Sequence, residues 1–227
     1  RARAQVDEAL ATQRRLDDEF DEPWSLDQVS TVEIEAGDAE GARKHAEEAI
    51  ALRAKSKLPL APSRLCKARS LRALGDYAGA YREASDALEE DVATQATVAE
   101  GEVRQERARI LLARGEAAGA LKELELARAA NEKVGVQLDD SVRAIRARAL
   151  YLAGKRDEAL ALARTMAKTQ SRDARLVIDE LELRSGKNEH AMEDLRALVE
   201  TARVAGHVRV ERAAASLLQG KLDAGFR

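Results

Sequence analysis

Several residue types are scarce in this 227-residue chain, and each scarcity excludes a class of structure. Aromatic residues make up 3% of the sequence, and there are three prolines and a single cysteine, Cys66. One cysteine excludes an intramolecular disulfide and a two-cysteine metal site. A lone thiol fits a reducing compartment, which favours the cytoplasm but leaves the location open. No signal peptide is visible, and no apolar run reaches the roughly eighteen residues of a membrane span.

Strand signals are missing as well, because no segment alternates β-branched and aromatic residues. Alanine, leucine, glutamate and arginine dominate instead, and these residues lose little side-chain freedom in a helix. Charged residues make up 35% of the chain but nearly cancel, giving a formal net charge of −3. A dedicated nucleic-acid-binding domain usually carries a basic excess, so the charge argues against that class. The composition predicts an all-α protein.

Glycine reveals an internal repeat. Five glycines recur at spacings of 38, 40, 39 and 32 residues, and each is followed five residues later by an alanine. Because glycine adopts the left-handed backbone found at many helix ends, each glycine is predicted to end the first helix of a pair. Each alanine then lies where the second, antiparallel helix approaches most closely. The glycines are Gly37, Gly75, Gly115, Gly154 and Gly186, and the alanines are Ala42, Ala80, Ala120, Ala159 and Ala191.

A second column of small residues stands seven positions before these glycines and before Gly220. Two small columns that face each other let helices pack closely, so many small contacts replace a few large aromatic ones. Asp179 interrupts this column, which predicts that the fifth repeat is the least regular. The other members are Ser30, Ala68, Ala108, Ala147 and Ala213.

One segment, LGDYAGAYREASDAL at residues 74–88, resembles the tetratricopeptide repeat through its turn and second helix. The resemblance extends roughly over residues 24–220 and implies a right-handed α-solenoid of about five to six helical hairpins. Three spacings exceed the usual period of about 34 residues, and the first-helix aromatic and the closing proline of the family are missing. The matching residues are Gly75, Asp76, Tyr77, Ala80, Ala84, Ala87 and Leu88.

The repeat also predicts the organisation of the chain. We expect one continuous domain over residues 1–227, cut from a longer protein, with a leading helix in residues 1–22 and tandem repeats over 24–220. The loop at residues 57–62 is the best candidate for a hinge. The predicted helix pairs are 24–36 with 38–55, 62–74 with 76–90, 95–114 with 116–133, 138–153 with 155–168, and 172–185 with 187–204, followed by a last helix at 207–219.

The resemblance further implies a binding site, because the first helices of tetratricopeptide repeats line a concave groove. The position six before each glycine would face that groove, and it holds Thr31, Arg69, Arg109, Arg148, Glu180 and Ala214. Arginine binds carboxylates and phosphates bidentately. We therefore hypothesise that Arg69, Arg109 and Arg148 bind an acidic peptide segment or a C-terminal carboxylate.

Other interpretations of these residues stay open. The three arginines could be solvated, or could pair with acids such as Glu106, Asp140 and Asp179, since charged faces are common on helices. Leu112 and Tyr151, three positions before their glycines, could add apolar contacts to a bound peptide or pack in the core. An earlier arginine column is assigned a structural role beside the neighbouring hairpin. It comprises Arg64, Arg104, Arg143, Arg175 and Arg209.

Residues that could carry chemistry are scattered. His45, His190 and His207 fall in three different repeats, and Cys66 has no histidine near it in sequence. Trp24 is interpreted as a cap over the end of the array or, if exposed, as a contact point. No phosphate-binding glycine loop or nucleophile elbow is present. We therefore predict no catalytic residue, no cofactor and no metal site, and expect that the chain is not an enzyme.

The predicted function is a protein–protein or intramolecular interaction module. In style the chain resembles the helical sensor and regulatory regions of large bacterial regulators, which bind a peptide, a partner domain or their own effector domain. A first alternative is a self-association scaffold or homodimer. Single-stranded nucleic-acid binding is a second, which would require stacking aromatics that are nearly absent. Self-association would use exposed apolar residues of the first helix, Val6, Leu10 and Phe20, or of the last, Val210, Leu217 and Leu218.

Overall fold

The computed structural model describes residues 8, 10–12, 15, 21–94, 97–137, 139–166, 168–186 and 188–220. Every regular element that begins and ends within these ranges is an α-helix. The helices are α1 Glu22–Ala36, α2 Ala39–Lys55, α3 Ala61–Leu74, α4 Tyr77–Ala93, α5 Thr97–Ala113, α6 Ala117–Lys133, α7 Asp140–Leu152, α8 Arg156–Arg164, α9 Arg172–Arg184, α10 Asn188–Ala205 and α11 Val208–Leu218.

The prediction of an all-α array of helical hairpins is confirmed, and the helix ends differ from the predicted ends by only a few residues. The main difference is α8, which ends at Arg164 rather than near residue 168. Tight turns replace helix there, because the carbonyls of Leu162 and Ala163 accept hydrogen bonds from the N–H groups of Thr165 and Met166. Of the predicted leading helix, residues 8, 10–12 and 15 are helical, and Val6 and Phe20 lie outside the described residues.

The chain divides into two compact units, Arg1–Arg107 and Ala108–Arg227. The first unit contains the hairpins α1–α2 and α3–α4. The second contains the hairpins α7–α8 and α9–α10 together with α6 and α11, and the boundary falls within α5. The prediction of one continuous domain is not tested by this division and stays a prediction.

The turn at Gly75 shows how a hairpin is closed. Gly75 has a φ of +86°, which only glycine adopts without strain, and the N–H of Asp76 donates to the carbonyl of Leu71 at 2.9 Å. The Asp76 carboxylate then accepts from the N–H of Gly79 at 2.8 Å, capping the start of α4. Two residues therefore end one helix and start the next, which forces α3 and α4 to lie antiparallel and close together.

Small side chains occupy the contact between the helices of each hairpin. In the first hairpin, the hydroxyl of Ser30 on α1 donates to the carbonyl of Ala42 on α2 at 3.0 Å, so the two small columns face each other directly. The alanines that follow the repeat glycines by five residues are buried in all five hairpins. The alanines of the facing column are also buried in the second, third and fourth hairpins. A larger side chain at either column would separate the helices or strain their packing.

A buried polar cluster joins the first three helices. Arg53 of α2 forms an ion pair with Asp27 of α1 at 2.9 Å and donates to the hydroxyl of Ser63 of α3 at 2.8 Å. Ser63 in turn donates to Asp27 at 3.1 Å, and the Arg53 guanidinium lies 4.6 Å from the centre of the Trp24 ring. Trp24 covers this cluster from outside while leaving 52% of its own surface exposed. The cluster specifies the relative positions of α1, α2 and α3.

Within each unit the first helices of successive hairpins lie closer together than the second helices. In the first unit α1 contacts α3, and in the second unit α9 contacts both α7 and α11. Over the described residues, the second helices α2 and α4, and likewise α8 and α10, make no comparable contact. The first helices therefore form the inner side of each unit, on which the functional prediction depends.

Two glycines at the same helical position give a matched test of the turn. Replacing Gly119 with Ala is expected to stabilise the protein by about 0.5–1 kcal/mol, because alanine favours helix and a Cβ there would be 3.4 Å from its nearest contact in Leu111. At Gly79 a Cβ would lie 2.2 Å from the Asp76 carboxylate, so Gly79→Ala displaces the cap. That loss costs about 1 kcal/mol and cancels the gain. Urea denaturation of both variants measures the difference; equal stabilisation would contradict this account of the turn.

The buried cluster provides a second test. Arg53→Met leaves the Asp27 carboxyl inside without its cation and is expected to lower the free energy of unfolding by about 3–5 kcal/mol. The double variant Asp27→Leu/Arg53→Met contains no buried charge and is expected to recover much of that loss. Chemical denaturation of the two variants is the measurement. A double variant no more stable than Arg53→Met would show that the cluster acts through packing rather than charge.

Candidate ligand-binding surface

The inner side of the first unit carries a balanced set of charges. Arg72 of α3 pairs with the buried Glu106 of α5 at 2.5 Å. Arg69, one turn earlier on α3, lies 4.0 Å from Glu106 and 3.4 Å from the exposed Glu102. Two arginines therefore face two glutamates on this surface.

The inner side of the second unit is different because one carboxylate serves two arginines. Glu180 of α9 has 1% of its surface exposed, and it pairs with Arg148 of α7 at 2.8 Å and with Arg184 of α9 at 2.9 Å. Burial of an ion pair is costly unless geometry and hydrogen bonding compensate, and the second arginine supplies that compensation. Two arginines therefore share one buried carboxylate on this surface.

Arg109 adds a further positive charge to the second unit. It lies partly buried on α5, and the Asp139 carboxylate is one of the charges near it. Burial of Asp139 opposes its ionisation, but hydrogen bonds from Ser141 and from the N–H of Val142, together with Arg109, outweigh this and lower the pKa of Asp139. Asp139 is committed to capping α7, since its carboxylate accepts from the N–H of Val142 at 3.0 Å.

The two apolar positions predicted beside these arginines have core contacts. Leu112 is buried. Tyr151 is half-buried and packs against the core cluster of the second unit, and its hydroxyl donates to the carbonyl of Arg184 at 3.2 Å. The Arg156 guanidinium lies 5.5 Å from the centre of the Tyr151 ring. These contacts give Leu112 and Tyr151 a structural role, and their contact with a ligand stays a prediction.

Four residues of the earlier arginine column form ion pairs, and the structural role assigned to the column stays a prediction. Arg64 of α3 pairs with Glu83 and Asp86 of α4, and Arg209 of α11 pairs with Asp173 of α9. Arg104 and Arg143 pair with acids of their own helices, Glu100 and Asp140. Exposed pairs of this kind contribute little free energy, so they orient the hairpins more than they stabilise them.

The residues that could take part in catalysis or bind a metal lie apart from one another. His45 contacts the buried Glu33 at 2.7 Å, which accounts for its position. Cys66 is buried, and burial together with the nearby Asp27 raises the pKa of its thiol to about 12, so the thiolate needed for nucleophilic attack does not form near neutral pH. In the described part of the chain, no three histidine, cysteine or acidic residues are grouped as a metal site would require.

The apolar residues named for self-association are mostly buried. Leu10 packs in a core cluster with Leu26, Val29 and Ala49, and Val210 and Leu217 lie in the core cluster formed by α9, α10 and α11. Leu218 is partly buried against that same cluster. The described residues of the two end helices therefore offer little apolar surface for pairing. No helix in the described ranges has the length and apolarity to cross a bilayer.

Sequence reasoning missed the part played by Glu180. It occupies the same column as Arg69, Arg109 and Arg148, six positions before its glycine, and was placed in the groove without a role. A charge reversal within a column of arginines signals an ion pair between adjacent repeats, because first helices of neighbouring hairpins lie side by side. The same signal identifies Arg148 as the partner.

Comparison with known proteins concerns the fold. No protein-family model and no curated protein matches the chain. A Rap protein complexed with Competence and Sporulation Factor superimposes with a TM-score of 0.70 at 15% identity, over 99% of this chain and 71% of that one. The apo form of RapI gives 0.67 at 13% identity, over 98% and 70%. A thermophilic TPR protein from Thermus thermophilus gives 0.57 at 20% identity, over 85% and 99%. These likenesses show that the chain has the TPR-like array fold that its repeats predicted.

Two arginines of the same column now have different expected roles in stability. Arg148→Met removes one of the two cations from a buried carboxylate and is expected to lower the free energy of unfolding by about 1–3 kcal/mol. Arg69→Met breaks only long contacts near the surface, so its effect is expected to stay within about 0.5 kcal/mol. Thermal and urea unfolding compare the two variants. Equal effects would show that the Arg148–Glu180 pair is no stronger than a surface contact.

Proposed function

We propose that the chain is a protein-interaction module that binds an acidic segment of a partner, or of its own parent protein, on the inner side of the Ala108–Arg227 unit. In this proposal it serves as the sensor or regulatory part of a larger bacterial protein. The observation that carries the proposal is the convergence of Arg148 and Arg184 on the buried Glu180, on helices that lie side by side on the inner side of that unit.

The charge difference between the two units supports this choice of surface. In the first unit Arg69 and Arg72 are balanced by Glu102 and Glu106. In the second unit two arginines, Arg148 and Arg184, share the single buried carboxylate of Glu180. Long-range attraction between charges accelerates encounter and selects partners by sign, so an acidic segment would favour the second unit.

The geometry of the cluster suits carboxylate recognition. A guanidinium has five N–H donors in a fixed plane, more than one carboxylate can use. Glu180 holds the side chains of Arg148 and Arg184 in place before any ligand arrives, which reduces the entropy lost on binding. An incoming carboxylate would meet arginines whose orientation is already set, whereas flexible surface arginines would have to be ordered first.

Binding, rather than catalysis, is the use that this arrangement supports. Catalysis needs groups that converge in a pocket from which water is excluded. The acids and bases of the inner side are instead spread over a surface. The fold is compatible with this role, since the Rap protein of similar fold has been solved in complex with Competence and Sporulation Factor. That complex concerns the Rap protein itself, and its bound factor is no guide to the partner of this chain.

The test uses a fluorescein-labelled hexaglutamate peptide, with hexaglutamine as the neutral control, titrated with the full chain and followed by fluorescence anisotropy. We expect hexaglutamate to bind more tightly than hexaglutamine, and its affinity to fall with added salt. Arg109→Gln is expected to weaken hexaglutamate binding about tenfold, because a hydrogen bond between charged groups contributes about 1.5–3 kcal/mol. The matched variant Arg69→Gln, in the balanced unit, is expected to change the affinity less than threefold, roughly the effect of an exposed ion pair.

Three results would overturn the proposal. Equal affinity for the two peptides would remove the preference for acid, and equal losses in the two variants would remove the preference for the second unit. Tighter binding of an oligothymidine than of hexaglutamate would favour the nucleic-acid alternative. Light scattering of the free chain, run alongside, reports whether the chain self-associates under the same conditions.

A further inference from the structure

Asp179 occupies a position that holds a small residue in the other hairpins. It lies on α9 in the small column, where the second to fourth hairpins have a buried alanine, and the column partner on α10 is the buried Ala191. Only 3% of its surface is exposed. Its Oδ2 atom is buried and has no hydrogen-bond partner among the described residues. A carboxyl therefore sits, unsatisfied, at the contact between two helices.

The charges around Asp179 oppose its ionisation. Asp194 approaches from α10 and Glu182 lies on the same helix, whereas Arg175, also on α9, is the one cation acting on it appreciably. Burial is the largest cause and Asp194 the next, and together they raise the pKa of Asp179 to about 7.

Basic groups on the surrounding helices are engaged elsewhere. On α7, Arg148 pairs with Glu180, and on α8, Arg156 lies over the Tyr151 ring. On α11, Arg209 pairs with Asp173. On α10, His190 lies 3.5 Å from Asp194 rather than against Asp179. Arg175, on α9 itself, is thus the cation that favours ionisation of Asp179, and burial outweighs it.

We propose that the α9–α10 hairpin is a pH-responsive element, closed around a protonated Asp179 and loosened when that carboxyl ionises. A carboxylate at a helix contact without a partner must either remain desolvated or reach water. It can reach water by separation of α9 from α10, and repulsion by Asp194 acts in the same direction. The opening is local, because the neighbouring hairpins have alanine at this position and their contacts do not titrate.

The direction in which hairpin stability changes with pH follows from the raised pKa of Asp179. The carboxyl is harder to ionise in the folded hairpin than in the unfolded chain, so the folded state binds more protons between the ordinary value of 3.8 and about 7. The stability that depends on the proton is fully present in acid and is lost as pH rises through that window. The inference is independent of the acidic ligand proposed above and needs no ligand for its test.

Amide hydrogen exchange of the full chain, read by mass spectrometry from mildly acidic to mildly alkaline pH, tests the proposal. Rates are converted to protection factors, which removes the intrinsic dependence of exchange on pH. Helix α6 serves as internal reference, because the α3–α4 hairpin contains Asp91, whose pKa burial raises to about 6. In the wild type, protection of α9 and α10 is expected to fall by up to about tenfold per pH unit below pH 7 and then to level off. In Asp179→Asn, which cannot ionise, it is expected to stay constant.

Matched variants separate this effect from other causes. Asp179→Ala introduces the alanine that the second to fourth hairpins have at this position. This variant is therefore expected to fold and to show high protection of α9 and α10 at every pH. Glu182→Gln removes a neighbouring acid outside the contact and is expected to retain the wild-type pH dependence. The measurement is repeated with His190→Gln, because His190 contacts Asp194. The proposal would be overturned if the protection of the wild type equalled that of Asp179→Asn at every pH. It would also be overturned if the pH dependence disappeared in His190→Gln but persisted in Asp179→Ala.

Discussion

The structure depends on the close approach of the two helices within each hairpin. A turn of two or three residues brings them together. Small side chains on both helices let their backbones approach, as the hydrogen bond from Ser30 to the Ala42 carbonyl shows. Because the facing columns consist mainly of small residues, much of the remaining hydrophobic surface must be buried on neighbouring hairpins. The first helices consequently lie side by side on the inner side of each unit, and charged residues of adjacent hairpins come within ion-pairing distance.

A core built from small residues contains charged groups as well as apolar ones. Asp27 with Arg53, and Glu180 with Arg148, are largely buried pairs that join different helices. Such pairs contribute less to stability than apolar residues of the same size would, but they fix which helices are neighbours and how they are aligned. Asp179 differs from both, because it is buried at the helix contact and its Oδ2 atom has no hydrogen-bond partner among the described residues. The same array thus contains charges that hold it together and one that can open it.

The functional argument follows from where these charges lie. The same arginine column yields different surfaces in the two units: Arg69 and Arg72 face two acids, while Arg148 and Arg184 share the single carboxylate of Glu180. A sequence column therefore does not translate into a uniform ladder of binding groups. The acidic partner proposed here is selected by the net charge and orientation of one cluster, whereas the rest of the array serves to position it.

The sequence by itself determined the all-α class, the helix pairs and the turns, because these depend on local chemistry that recurs five times: a glycine at each helix end, an alanine five residues later and a small residue seven before. It also pointed to the arginine column, and it flagged Asp179 as irregular. Only the tertiary structure decided which arginines are committed to ion pairs, that Leu112 is buried, and that Asp179 lacks a partner. These properties depend on side chains from helices 30 or more residues apart, such as Arg148 and Glu180. The period of the repeat and the spacing of its residues do not predict which residues such side chains contact.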